Sequence, residues 1–210
     1  MTIAQTLNIP KSKHDYVTEY FSLEQMDPDA WTFPVSTKGI EGIELLHKAY
    51  GLWRDVVKQN NLGRFHGTDS SKVGQMIDDI RTNHVKSTQP PVFIDIDTGD
   101  IITGGHRYEA SAILGIPGWM FQYVRCSNAW ARKRFAKALN NERVFACTLN
   151  DKPEVIEHIK YGIKEGKITC EQDIEDEAFL IAGHGCCASP AVRATIVKEM
   201  VSFIASNGIT

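Results

Sequence analysis

The hydrophobic pattern changes period twice near the centre of the chain, and this change restricts the fold more than any other feature. Two β-favouring runs there flank the turn sequence Asp97–Asp100, which predicts a hairpin. The next run has apolar side chains on one helical face and ends at Gly115, a helix stop signal. The predicted elements are a strand over 91–96, a strand over 101–103, a helix over 106–114 and a strand over 119–124.

Helical patterns surround this centre. Apolar residues spaced as on one face of a helix predict amphipathic helices over 40–60 and 68–83. In the last third, capping sequences predict helices over 128–140, 151–166, 169–182 and 191–205. The fold class is therefore α/β (α+β), with a small mixed sheet. The predicted domains are an N-terminal arm and amphipathic helix over 1–61, a core over 62–125 and a helical C-terminal domain over 126–210.

Composition excludes several classes of protein. The chain is 42% hydrophobic and 23% charged, which is typical of a globular protein and not of a disordered one. No stretch approaches the roughly 18 apolar residues that span a bilayer, and the N-terminus lacks the pattern of a secretory signal. The 5 cysteines, an odd number without C-x-x-C spacing, favour a reducing compartment. We expect a cytoplasmic protein without a membrane partner.

The run Thr103-Gly104-Gly105-His106-Arg107 is the strongest candidate for a binding site. A strand that turns directly into a helix leaves unpaired N–H groups at the helix N-terminus, where anions are favoured. Gly105 lacks the Cβ that would hold a phosphate away from the backbone, and His106 and Arg107 can add donors and charge. A tight strand-to-helix connection with a surface arginine is the alternative, and the local pattern leaves both open.

This region resembles the core of the ParB/sulfiredoxin superfamily. The resemblance rests on the run 89–94, the Asp-Thr-Gly-Asp turn, the run 101–103 and the motif Gly104–Ala110, preceded by a helix over 72–81. It covers residues 62–125, and it implies a nucleoside triphosphate (ATP or CTP) and Mg²⁺ as cofactors and DNA as a partner, in a phage, plasmid or bacterial setting. The residues that it implies for the nucleotide are Thr103, Gly104, Gly105, His106, Arg107, Gln89 and Arg64.

The motif departs from the ParB-like pattern G-E-R-R-x-R-A at three positions. Gly105 stands where a glutamate would help to place a metal, His106 stands where the first arginine would be, and Glu109 stands where the last arginine would be. Sulfiredoxins have their nucleophilic cysteine at the position of Gly105, which excludes sulfinic-acid repair. Glu109, Asp69 and His106 are the candidate catalytic residues, and a solvated helix position is the alternative for Glu109. The metal ligands stay unknown.

The segment over 125–150 is strongly basic, with 6 basic residues and 1 acidic residue. Because Trp130 and Phe135 interleave with the charges, the segment predicts a nucleic-acid surface. Its predicted contacts are Arg132, Lys133, Arg134 and Lys137. A solvated helix that packs Trp130 against a core is the alternative. The motif His184-Gly185-Cys186-Cys187 is better explained by a loop with buried thiols than by a metal site, because a fourth ligand is missing.

The residues and the resemblance together predict a nucleotide- or phosphate-binding protein that acts on or with DNA. The first hypothesis is an enzyme, either a metal-dependent nuclease or a nucleotide-hydrolysing switch. A phosphotransferase acting on a small molecule or nucleoside is one alternative, and a non-catalytic DNA- or protein-binding module is another. A homo-oligomer is compatible with each. The histidines at 14, 47, 84 and 158 are isolated in sequence from other candidate ligands.

Overall fold

The computed structural model of the protein describes residues 17–35, 37, 40–56, 70–139, 152–182 and 189–208. These residues contain a four-stranded mixed sheet and six α-helices, which confirms the predicted α+β class. Contacts divide them into two compact units, a sheet unit that ends at Ser127 and a helical unit that contains Thr37–Glu41 and the chain from Asn128 onward. Among the described residues, no helix is both long and apolar enough to cross a bilayer.

The sheet unit is built on four strands, β1 (Ile43–Leu52), β2 (Val92–Asp95), β3 (Ile101–Thr103) and β4 (Gly118–Cys126). Their order in the sheet is β1-β4-β2-β3. Strand β4 is antiparallel to β1 and parallel to β2, and β2 is antiparallel to β3. The predicted hairpin and the predicted strand after Gly115 are confirmed.

The prediction of an amphipathic helix over 40–60 is wrong, because residues 43–52 form β1 and residues Trp53–Asp55 form a short 3-10 helix. Strand β1 pairs with β4 along almost its whole length. Gly51 lies so close to the ring of Phe121 that an added Cβ would come within 2.4 Å of it. Pairing with β4 and packing against Phe121 outweigh the helical spacing of the apolar residues, because strand formation depends strongly on tertiary context.

The helices predicted elsewhere are confirmed. Two belong to the sheet unit, α1 (Ser70–Asn83) and α2 (Gly105–Leu114). Four belong to the helical unit, α3 (Ala129–Leu139), α4 (Lys152–Lys164), α5 (Glu171–Ala182) and α6 (Pro190–Asn207). The motif at 184–187 lies outside the described residues.

Each unit has its own hydrophobic core. The sheet unit buries a cluster of aromatic rings, in which the Trp53 ring lies 5.4 Å from that of Phe121 and 6.2 Å from that of Trp119. Trp31, from the segment predicted as an arm, is buried in the same cluster. The core of the helical unit is mostly aliphatic, with Val155, Ile159, Ile174, Ile181 and Ile196.

Candidate phosphate-binding site

Strand β3 passes directly into α2 through Gly104. Thr103 pairs with Phe93 at the end of β3, and Gly104 is the N-cap residue of α2. Gly104 has φ 118° and ψ 13°, a conformation that residues with a Cβ rarely adopt. A Cβ at this position would also lie 2.7 Å from Cγ2 of Val92. Backbone geometry and packing therefore both require glycine at 104.

The first turn of α2 begins immediately after the end of β3. The N–H of Tyr108 donates to the carbonyl oxygen of Gly104 at 2.9 Å, which is the first bond of the helical ladder. The N–H groups of the three preceding helical residues consequently have no acceptor inside the helix. The first turn of α2 carries no acidic residue that would offset the positive end of the helix dipole. This arrangement suits an anion.

Burial separates the side chains of this turn into two groups. Gly105 is buried, and Arg107 retains only 7% of its accessible surface. The alternative of a surface arginine is therefore wrong. Arg107 lies three and four residues before Ala110 and Ser111, which are both buried, so these residues share one face of α2.

The half-buried residues of the turn keep more accessible surface than Gly105 and Arg107. Thr103, Gly104 and His106 are all half-buried, as is Glu109. His106 and Glu109 are three residues apart on α2 and therefore share a face. The structure thus places two of the three candidate catalytic residues within one turn of the α2 amides. The third, Asp69, lies outside the described residues, and so does Arg64.

The end of the sheet at which β3 passes into α2 is also the end at which β2 and β4 begin. Leu52, at the end of β1, pairs with Gly118, at the start of β4, and Val92 pairs with Phe121. Gln89 is half-buried, shortly before β2 begins, and its N–H donates to the carbonyl oxygen of Lys86 at 3.0 Å. Gln89 therefore precedes the strand whose Val92 packs on Gly104, and its role as a nucleotide contact stays a prediction.

The carboxylates of the hairpin lie at its turn, at the opposite end of β2 and β3 from Gly104. Asp95 and Asp100 are almost completely buried there. The N–H of Asp97 donates to Oδ1 of Asp95 at 3.1 Å, as expected of turn residues. Glu109 is therefore better placed than these carboxylates to reach an anion at the start of α2. The described residues hold no group of three or more His, Cys, Asp or Glu side chains arranged for a metal ion.

The basic helix α3 differs from the prediction of a nucleic-acid surface. Lys137 is 1% exposed and forms an ion pair with Glu154. Nε of Arg134 donates to the two carboxylate oxygens of Glu177 at 2.9 and 3.2 Å. Lys137 is therefore inside the helical unit, and the prediction that it contacts nucleic acid is wrong. Arg134 is half-buried and paired with Glu177, and its contact with nucleic acid stays a prediction. The later helices carry the matching carboxylates, which no local pattern around α3 could reveal.

Lys133 and Arg132 are half-buried and remain candidates for contact with nucleic acid. Nζ of Lys133 lies 3.9 Å from the centroid of the Tyr161 ring, and burial lowers the pKa of this lysine. The ring of Trp130 stacks on that of His158 at a centroid distance of 4.7 Å. The alternative in which α3 packs Trp130 into its own unit therefore describes most of the helix.

Sequence reasoning missed the role of His158. This residue is completely buried, and its Nε2 lies 2.7 Å from Oε1 of Glu177. The available signal was its position on the apolar face of α4, beside Val155 and Ile159. A histidine on such a face is expected to have a polar partner from another element.

Comparison with known proteins found no family model that matches the chain and no curated protein that matches it. The resemblance to the ParB/sulfiredoxin superfamily therefore rests on the motif and the order of elements quoted above. It stays a prediction.

Proposed function

We propose that the protein binds a nucleotide through its phosphate groups at the Gly104-Gly105 turn. The observation that carries this proposal is the direct passage of β3 into α2 through the left-handed Gly104, which places the N-terminus of the helix, an end that favours anions, beside the half-buried His106. Arg107 adds a cationic side chain in the same turn. Phosphate oxygens suit this donor set because they accept hydrogen bonds from backbone amides and from cationic side chains.

The proposed reaction is hydrolysis of a phosphodiester or of the nucleotide itself, in a protein that acts on or with DNA. Glu109 lies on the same face of α2 as His106, within reach of a phosphate bound at the helix start. A carboxylate in this place can accept a proton from an attacking water. The resemblance implies Mg²⁺, which is commonly held by one or two carboxylates and by phosphate oxygens. Glu109 or Asp69, the latter outside the described residues, would hold it, and the ion would neutralise the phosphate charge.

Binding without catalysis is the second candidate. Gly105 is the first residue of α2 and offers no side chain where both resembled families carry a reactive or metal-placing residue. A phosphotransferase remains an alternative within the first proposal, distinguished by the acceptor of the phosphoryl group.

Calorimetric titration with ATP, CTP and ADP, with and without magnesium, tests the binding site. We expect at least one of these nucleotides to bind, and His106→Ala and Arg107→Ala to weaken binding by about tenfold or more, because a charge-assisted hydrogen bond contributes roughly 1.5–3 kcal/mol. Arg81→Ala, at an exposed position on α1, is the matched control and should bind as the wild type does. Absence of binding at millimolar nucleotide, or unchanged affinity in both site variants, would remove the proposal.

Incubation with supercoiled plasmid, or with labelled nucleotide, in magnesium or manganese tests the reaction. Glu109→Gln should abolish turnover but retain nucleotide binding, because it removes the proton acceptor and leaves the amides in place. Wild-type binding without turnover on either substrate favours the non-catalytic module. For DNA, the dependence of affinity on salt should lessen in Arg132→Ala/Lys133→Ala and not in Lys198→Ala, an exposed position on α6.

A further inference from the structure

The helical unit contains a buried cluster of charged and titratable side chains. Its members are Arg134 and Lys137 from α3, Glu154 and His158 from α4, and Glu177 from α5. His158 is 0% exposed and Glu177 is 5% exposed. Charged side chains are rarely buried unless they are paired, so the balance of charge in this cluster matters for stability.

The cluster is electrically balanced when His158 is neutral. Arg134 pairs with Glu177, and Lys137 pairs with Glu154. His158 can then donate its Nε2–H to Oε1 of Glu177, which is 2.7 Å away. Addition of a proton to His158 would leave the cluster with one excess positive charge inside the unit.

A proton added to His158 would bind its second ring nitrogen, Nδ1. In the neutral ring with Nε2 protonated, Nδ1 is an acceptor. This atom is buried and has no hydrogen-bond partner among the described residues. Protonation would turn it into a donor without an acceptor, which costs the full desolvation of that group.

The charged groups on the helices of this unit act on His158 in both directions or are engaged elsewhere. Lys133 and Lys137 on α3 oppose a positive imidazole, while Glu177 on α5 favours one. Desolvation is the largest influence, and it lowers the pKa of His158. On α4, the helix that carries His158, Glu154 forms an ion pair with Lys137, and Lys160 forms an ion pair with Glu157. On α6, Glu199 pairs with Lys152, Arg193 lies over the ring of Phe179, and Lys198 is exposed.

We infer that the helical unit is an acid-sensitive element in which protonation of His158 loosens the packing of α3, α4 and α5. The direction in which stability changes with pH follows from the linkage between proton binding and folding. A histidine whose pKa is lower in the folded state takes up its proton on unfolding, so stability is full above the unfolded pKa of about 6.5 and is lost as the pH falls below it. The proposed nucleotide site is not required for this behaviour.

Urea unfolding of the full chain between about pH 7.5 and 5.5, followed by far-ultraviolet circular dichroism, tests the inference. We expect the unfolding equilibrium constant to rise by up to about tenfold for a pH decrease of one unit below about 6.5, which corresponds to one proton. His158→Gln retains an amide donor toward Glu177 and cannot titrate, so this rise should disappear. His84→Asn is the control, because His84 is exposed and its φ of 58° suits asparagine. It should keep the wild-type dependence.

A wild-type unfolding constant that does not change with pH overturns the inference, whether or not His158→Gln folds. So does a pH dependence that survives in His158→Gln. Proton NMR of the wild-type histidines offers an independent readout. One ring resonance that does not titrate while the chain stays folded supports the inference, and titration of every histidine near pH ~6.5 in the folded protein overturns it.

Discussion

The cores of the two units resist unfolding by different means. The sheet unit buries aromatic rings against one another, with the Trp53 ring packed against those of Trp119 and Phe121. The helical unit adds the buried pairs Lys137–Glu154 and His158–Glu177 to its aliphatic core. Ring packing does not depend on protonation, whereas buried ion pairs stabilise a structure only while each partner keeps its charge state. The first core is therefore expected to tolerate changes of pH that weaken the second.

The largest expected effect concerns the aromatic core. Trp119→Ala should lower the free energy of unfolding by about 3–5 kcal/mol, because it removes a fully buried ring and leaves a cavity. Urea unfolding followed by tryptophan fluorescence measures the change. Ile113→Ala removes a side chain that is 63% exposed and should change stability by less than about 0.5 kcal/mol. Equal effects at the two positions would show that the ring cluster is not the stabilising core.

The charged core should respond almost as strongly to loss of one partner. Lys137→Met should cost about 3 kcal/mol, because Glu154 is then left without its cation. The double variant Lys137→Met/Glu154→Leu should recover much of this loss, since a pair of apolar side chains replaces a pair of charges. Circular dichroism in urea measures both variants. A double variant that is less stable than the single one would mean that the ion pair stabilises the unit beyond mutual compensation.

The turn between β3 and α2 should show an intermediate effect. Gly104→Ala forces a Cβ into a positive-φ conformation and against Val92, and we expect a loss of about 1–3 kcal/mol. The same variant should weaken nucleotide binding, because the amides of α2 would shift. Unfolding in urea and calorimetric titration measure the two effects. Wild-type stability in this variant would contradict the geometry assigned to the turn.

The smallest expected effect is a gain. Gly74 lies within α1 and has open space where a Cβ would be added, so Gly74→Ala should stabilise the protein by about 0.5–1 kcal/mol. Gly74→Ala is the matched control for Gly104→Ala, because it makes the same change of side chain at a position where the backbone is unstrained. Thermal unfolding is sufficient to detect the difference. A loss of stability in both variants would point to helix packing rather than to backbone strain.

Local patterns predicted the centre of the fold well. Changes of period and turn residues predicted the hairpin, the helix that ends at Gly115 and the strand that follows it. The helix prediction for the segment that forms β1 is wrong. Its apolar residues are spaced as in a helix, but the segment pairs with the neighbouring strand β4. Spacing along one segment carries no information about which distant segment pairs with it.

The backbone of the candidate site was predicted in part. The Gly104-Gly105 turn lies where the sequence indicated, and His106 and Glu109, both half-buried, lie three residues apart on α2. The local pattern did not predict the burial of Arg107, because burial depends on the elements that pack against α2. The basic run of α3 suggested a surface, yet Arg134 and Lys137 meet carboxylates from α5 and α4.

The amino-acid sequence alone determined the order of most helices and strands and the site of the glycine turn, because period, caps and turn residues act within a few neighbouring positions. Only the tertiary structure decided that residues 43–52 form a strand, that Lys137 of α3 is internal and that His158 has a carboxylate partner. These outcomes depend on which distant groups are brought together when water is excluded. The free energy of a buried charge or an edge strand is set by those partners and not by the residue itself.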